Sequence, residues 1–380
     1  MNYMSTSRRE VCLGDICSPK QHPTISGADL TDNGYPAFGA NGQIGFYKTY
    51  THDQTTIAIT CRGATCGTVN IVPAFSYICG NAMALDNLDQ KRVDLKFLAY
   101  LLRFRSLADV ISGSAQPQIT RAPLLGVRIS LPPLPEQRRI AAILDQADAL
   151  RAKRREALAK LDEMAQAIFV EMFGDPETNP RGWDETPVLG DVAEVASGIT
   201  KGRKVNGEAV REIPYLAVSN VQDQHLNLTV VKTIEATERE IERYKLKKGD
   251  LVLTEGGDPD KLGRGVLWND ELGECIHQNH IFRIRLTSNR LHPLFLAWLV
   301  GSQRGKRYFF RAAKQTTGIA SINMSQLRAF PLLVPPKDIQ TSFVEAIRQV
   351  SLMKERLSTS SSGQESLFAA LQHSAFSGTL

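Results

Sequence analysis

The chain has 380 residues, 42% of them hydrophobic and 22% charged, and carries a formal net charge of +5. Such a composition belongs to a soluble globular protein of two or three domains and excludes a disordered or strongly acidic chain. No run of about 18 apolar residues is present to span a bilayer, and the opening MNYMSTSRREVCLGD lacks the apolar core of a secretory signal, so a cytoplasmic location with six reduced cysteines is expected.

In chain order, TTIAITC (55–61) and GTVNIV (67–72) are short β-branched runs that predict strands, and DLKFLAYLLRFRSLADVI (94–111) has the three-four apolar spacing of a helix. After LPPLPEQ (131–137), Pro135 and Glu136 suit the first turn of a helix, and no Pro or Gly intervenes before Gly174. A helix over 136–173 would be about 57 Å long. Ile140, Ile143, Ala147, Leu150, Arg154, Ala157, Leu161, Met164 and Ile168 form a coiled-coil seam along it.

DLVLTE (250–255) and GVLW (265–268) then predict strands, and HPLFLAWLVGSQRGKRYFFRAA (292–313) a helix. VPPKDIQ (334–340) opens a second long helix, whose seam of Phe343, Ala346, Val350, Met353 and Leu357 is interrupted by STSSSG (358–363) and resumes around Leu367, Phe368 and Leu371.

These elements occur in the same order twice. LGD at 13–15 matches LGD at 189–191, Pro36 matches Pro214, FLAYLL (97–102) matches FLAWLV (295–300), and the two double prolines correspond. The separations rise steadily along the chain, as a duplication with loop insertions in the second copy requires. The expected fold is α+β: two similar mixed α/β domains (1–130 and 176–333) separated by two long antiparallel spacer helices (131–175 and 334–380) that form a coiled coil, with an internal pseudo-twofold repeat. Two copies of a binding unit point to a bipartite target.

The segment LPPLPEQRRIAAILDQADALRAKRREALAKLDEMAQAIFVEMFGDP (131–176) resembles the central spacer of the specificity subunit of type I restriction-modification systems, HsdS. TEGGDPDKLGRG (254–265) and IHQNHIFRIR (276–285) resemble one recurrent type of recognition domain in that family. The resemblance implies that each domain reads half of an asymmetric, interrupted site in double-stranded DNA. It also implies that the helices set the gap and dock two methyltransferase subunits and the motor-nuclease subunits. S-adenosylmethionine and ATP would then reside on those partners, with no cofactor on this chain.

Catalytic motifs are missing from the sequence. There is no GxxxxGK[ST] loop, and Leu131, Leu134, Val334 and Lys337 flank the proline pairs where a base-flipping amino-methyltransferase needs an acidic or amide residue and an aromatic. Asp258, Asp260 and Lys261 would fit a nuclease centre, but Pro259 and the neighbouring glycines favour a turn. Cys12 and Cys17, like Cys61 and Cys66 with Cys79 nearby, have marginal zinc spacing; Val188 and Ala193 stand opposite the first pair in the other copy, so buried thiols are expected and no metal. Cys275 and His277 can share one face of a strand while His280 points away, and these histidines are read as strand residues or DNA contacts.

The candidate DNA contacts are Lys201, Arg203, Lys204, Lys261, Arg264, Lys306, Arg307, Arg311 and Lys314 in the second copy, where Tyr308, Phe309 and Phe310 interleave the bases. Arg203, Arg264, Asn220 and Asn279 are the candidates for base readout, because Arg can grip guanine and Asn adenine through two bonds. Asn279 is also weighed as structural, with Asn81 as its match. In the first copy the candidates are Lys20, Lys48, Arg62, Arg103 and Arg121.

Overall fold

The computed structural model describes residues 8–40, 42–205, 207–257, 262–316 and 319–380. Asp258, Asp260 and Lys261 lie outside them. The chain divides into two compact units, Met1–Ala157 with Leu357–Leu380, and Leu158–Arg356. Both long helices, Leu134–Phe173 and Lys337–Ser377, therefore contribute to each unit.

The first unit contains an antiparallel sheet ordered Ser18–Gln21, Ala82–Asp86, Thr56–Thr60, Val69–Val72. A smaller sheet is ordered Gly42–Tyr47, Tyr35–Gly39, Tyr77–Ile78, its last pair parallel. All five residues of Thr56–Thr60 are buried, which explains a continuous apolar run in place of an alternating one. The core joins Ile57, Ile59, Met83 and Leu85 of the sheet to Phe97, Leu98 and Leu102, to Ile140 and Leu144 of the first long helix and to Phe368 of the second.

The second unit repeats this plan. Its larger sheet runs Ala193–Ser197, Ile281–Leu286, Leu251–Thr254, Gly265–Leu267, and its smaller one Lys232–Thr237, Val210–Leu216, Ile276–His277. Registers agree residue by residue: Thr60 opposes Ala82 as Thr254 opposes Ile281, and Ala37 pairs in parallel with Tyr77 as Tyr215 does with Ile276. Pro36 and Pro214, one residue before those parallel pairs, are thus equivalent. Both LGD segments form a helical turn whose aspartate, Asp15 or Asp191, accepts the backbone N–H three residues earlier, at 2.8 and 2.9 Å.

Two expected helices end early. The first spans Leu95–Arg105: Asp94 caps it by accepting the Phe97 N–H at 3.0 Å, and Ser106, at φ 62°, terminates it. The segment 292–313 is two helices, Pro293–Gly301 and Gln303–Ala312, divided at Ser302, whose hydroxyl donates to the Leu299 carbonyl at 2.6 Å. A Cβ on Gly305 would lie 1.9 Å from the Val300 carbonyl oxygen, so glycine alone lets the second helix fold back so closely.

The double prolines have a mechanical explanation in the glutamine that follows each. Gln137 is fully buried; its Oε1 accepts the Asp94 N–H at 2.9 Å, and its Nε2 donates to the carbonyls of Arg92 (3.0 Å) and Pro132 (2.8 Å). Gln340 does the same with the His292 N–H (2.7 Å) and the carbonyls of Arg290 (3.0 Å) and Pro335 (2.8 Å). Each amide thereby ties the start of a long helix to the cap of a domain helix. Gln137→Ala would strand three peptide groups, one of its bonds buried and two part-buried, and should lower stability by about 2–3 kcal/mol, read as a lower urea midpoint. An unchanged midpoint would show the clamp to be dispensable.

Along the long helices the apolar stripe differs from the expected seam. In the first unit Ile140, Ala141 and Leu144 are buried, with Ala147 packed alongside, while Ile143 is half-buried and Leu150 exposed. In the second unit Ala165, Phe169 and Phe173 are buried, with Leu161 and Ile168 packed against them, and Met164 is exposed. Their partners there are Phe343, Ile347 and Val350, whereas Met353 is exposed and Leu357 half-buried. The buried positions follow the helical period of 3.6 around a domain core, which drifts away from a strict heptad.

Polar contacts replace the seam between these patches. Arg151 Nε donates to Glu365 at 2.8 Å and stacks 4.2 Å from the Phe368 ring centre in the first unit; Lys354 pairs with Asp162 in the second. Within each unit the two helix segments run antiparallel, since Arg139 meets Leu380 where Arg151 meets Glu365, and Phe173 meets Phe343 where Asp162 meets Lys354. The expected interruption at 358–363 is absent: the backbone stays helical from Lys337 to Ser377. One glycine in a helix costs about 1 kcal/mol, which burial of Phe368 and Ala375 further along outweighs.

Candidate nucleic-acid interface

Four segments emerge at one end of the larger sheet of the second unit, where Ser197 opposes Phe282, Thr254 opposes Ile281 and Leu253 opposes Gly265. Backbone bonds stitch them together: Asn279 N–H to the Ile199 carbonyl (3.0 Å), Glu255 N–H to that of His280 (3.0 Å), Thr254 N–H to that of Arg264 (3.0 Å) and Ile322 N–H to that of Glu255 (2.9 Å). Gly256–Gly257 pairs with Ile319–Ser321, which pairs with Lys314–Thr316. Arg264 and Lys314 thus both lie near this sheet end.

Beside Arg264, Gly263 rests on the basic helix Gln303–Ala312. Gly263 has φ 74°, and a Cβ there would lie 2.5 Å from the Phe309 ring, so the buried aromatic accepts only glycine against it. Lys306 and Arg311 of the same helix are exposed. Lys306 reaches Asp223 at 3.5 Å and Arg264 Nη1 donates to Gln222 Oε1 at 3.2 Å. Both cations therefore converge on the Gln222–Gln224 turn, which the sequence did not mark except by a run of polar residues. An exposed pair of this kind is worth about 0–1 kcal/mol and is readily exchanged for another anion.

Several other candidates are already engaged by neighbouring groups of the protein. Arg203 donates to both oxygens of Glu240 (2.5 and 2.6 Å) and to the Glu235 carbonyl (2.8 Å), fixing the helix Glu238–Tyr244. The guanidinium, aided by Thr237, holds the Glu240 carboxyl down at about 2. Asn220 is buried and uses its whole amide on the Ala217 N–H and the Asn227 and Val230 carbonyls, so it shapes a loop and cannot read a base. Arg307 pairs with Glu177, and Lys201 sits 5.1 Å above the Tyr215 ring. Lys204, Arg311 and Lys314 are exposed. Asn279 is equivalent to Gly80; the strand register assigns Asn81 to His280, one residue from the match expected.

The same sheet end of the first unit carries Arg62, exposed and bridged through its backbone to Gln118. A cleft of about 370 Å³ there is lined by Arg62, Thr65 and Asn81 among others. Lys20 is exposed just before that end, and Arg121 opens the short helix Arg121–Leu125. Lys48 lies beside Tyr47 on the smaller sheet, away from this end, and Arg103 is spent on the Val69 carbonyl (2.9 Å) and the Tyr100 ring.

Among the described residues, the thiols and histidines weighed as ligands belong to no group of three that could hold a metal ion. All six cysteines are free; Cys17, Cys61, Cys79 and Cys275 are buried, and Cys12 and Cys66 are half-buried. Burial pushes the Cys275 thiol up to about 12 and the His277 imidazole down to about 4. His280 turns to Glu255 at 2.7 Å.

The model of the type I restriction modification DNA specificity domain matches residues 8–160 and again 180–359. The chain belongs to this family. Its two matched stretches each contain one copy of the paired-sheet plan. Similar curated proteins include the StySPI specificity subunit of Salmonella potsdam, 25% identical over 59% of this chain, and the EcoKI specificity subunit of Escherichia coli (strain K12), also 25% identical over 59%. Each match covers 50% of the relative, so the chain spans about half the length of the curated relatives it matches.

Among solved folds, the S subunit of a type I restriction-modification system from M. genitalium aligns over 99% of this chain and 98% of its own, with TM-score 0.61 and 15% identity. A chain from a study of complex assembly and conformational transition of the type I R-M system aligns over the full length of both, with TM-score 0.55 and 16% identity. Among the described residues no helix is long and apolar enough to cross a membrane.

Proposed function

We propose that this specificity-family chain reads double-stranded DNA with both units, each recognising one half of an asymmetric bipartite site, and catalyses nothing itself. The carrying observation is the duplicated sheet plan, with matching register in the larger sheets and unlike sequences in the segments that leave the matching sheet end. Arg264, Lys306, Arg311 and Lys314 in one copy and Arg62 with its cleft in the other supply the groups that hold phosphates and base edges. Two methyltransferase subunits and the motor-nuclease subunits would dock on it, bringing S-adenosylmethionine and ATP. The two long helices act as an antiparallel spacer that sets the unspecified gap, a reading supported by the antiparallel contacts made within each unit.

The reading is tested by binding to a duplex carrying both half-sites, identified by mapping methylated adenines in cells with and without the chain. Affinity should fall steeply with salt, and changing either half-site should weaken it. Equal affinity for cognate and scrambled duplex would overturn the proposal. Within that assay, Arg264→Ala should cost about 1–3 kcal/mol at one half-site if the guanidinium grips a base. A loss equal for all sequences, with a shallower salt slope, would make it a phosphate contact.

A further inference from the structure

One face of the first unit lacks the two arginines that its twin has there, and Lys20, opposite Ala84 in the strand register, places a single cation beside His22. In the second unit, strand Ile281–Leu286 carries Arg283 and Arg285: Arg285 donates to Asp250 at 2.7 and 2.6 Å, and Arg283 to Glu194 at 2.6 Å. The strand registers make Arg283 equivalent to Ala84 and Arg285 equivalent to Asp86. Two guanidinium groups are thus replaced by a methyl group and a carboxylate. Among the described residues, the ion-pair partners of Asp86 are two imidazoles, His52 Nε2 at 2.8 Å and His22 Nε2 at 3.4 Å.

We propose that His22 Nε2, His52 Nε2 and the Asp86 carboxylate bind a zinc-class divalent cation, with water completing the shell. The three ligand atoms all lie within 4.8 Å of one another. Their contacts to the carboxylate bracket the roughly 3.3 Å that separates ligands of a tetrahedral ion with bonds of about 2.0–2.1 Å. His22 Nε2 is sealed from solvent and has no hydrogen-bond partner, meeting Asp86 as a 3.4 Å ion-pair contact, so it faces the cluster. The other nitrogen of His52, Nδ1, lies 2.8 Å from Thr51 Oγ1, the kind of outer partner that orients a metal-bound imidazole. Two imidazoles and a carboxylate suit zinc and its neighbours better than calcium or magnesium.

The ion would tie together the end of strand Ser18–Gln21, the loop before Thr56 and the end of strand Ala82–Asp86. That is the structural task done in the twin by Arg285 and Asp250. The sequence gives no metal spacing here, because the three residues are scattered over 65 positions and meet only through sheet pairing.

The test is a Co²⁺ titration of the purified full-length chain followed by visible absorption, with Zn²⁺ as competitor. One equivalent should bind with d–d bands and no sulfur-to-cobalt charge transfer, and zinc should raise the melting temperature. Thr51→Val should weaken binding by about 10-fold, and His52→Gln or Asp86→Asn by more than the ~10–100-fold typical of outer-partner changes. Absence of saturable binding up to millimolar cobalt, or unchanged affinity in Asp86→Asn, would overturn the site. X-ray absorption of the zinc-loaded wild-type chain needs no folded variant: a nitrogen and oxygen shell is expected, and sulfur in it would place the metal on cysteines and end the proposal.

Discussion

Phe343→Ala is expected to destabilise the second unit by about 3–5 kcal/mol, the range for emptying a well-packed aromatic site. Phe343 is fully buried, with ring centres of Phe173, Phe169 and Trp298 at 5.1, 5.5 and 5.6 Å. It joins the second long helix to the first and to the domain helix Pro293–Gly301, so no neighbour can close the space without moving an entire helix. Urea unfolding measures the loss. Leu150→Ala is the control, because Leu150 is 57% exposed and its truncation should stay within about 0.5 kcal/mol. A Phe343→Ala loss under 1 kcal/mol would mean that the aromatic cluster does not hold the helices to the domain.

Exchanging residues 186–330 for the equivalent stretch of another family member is expected to replace one half-site completely and leave the other unchanged. The stretch begins next to the LGD turn, whose Leu189 N–H bonds to the Phe330 carbonyl at 2.9 Å, so the exchanged piece closes on itself. It takes with it the Gln222–Gln224 turn, Arg264 and the basic helix, while Gln340 and the long helices stay. Methylated-adenine mapping reads the outcome. If both half-sites changed together, the two units would not read independently, and the bipartite reading would fail with them.

Much of this was legible beforehand. The duplication was visible in LGD, the double prolines and FLAYLL with FLAWLV because burial and capping constrain those residues in both copies. Strand positions followed from short β-branched runs, and the long helices from the lack of any Pro or Gly between Pro135 and Gly174. The site was less legible. A basic residue reads the same whether it faces solvent or a carboxylate, so Lys306 and Arg203 were indistinguishable until Glu240 was seen to claim both donor edges of Arg203. Asn220 is equally opaque in the sequence: the three bonds of its amide come from residues brought back by a turn.

The sequence by itself determined the repeat, the order of elements and the long helices, since each depends on local periodicity, caps and breakers that act within a few residues. Only the tertiary structure decided which helix face is buried, where Ser106 and Ser302 end their helices, what Gln137 and Gln340 hold, and that His22, His52 and Asp86 meet. Those outcomes depend on partners tens of residues away, selected when sheets pair and cores close, and local spacing carries no record of them.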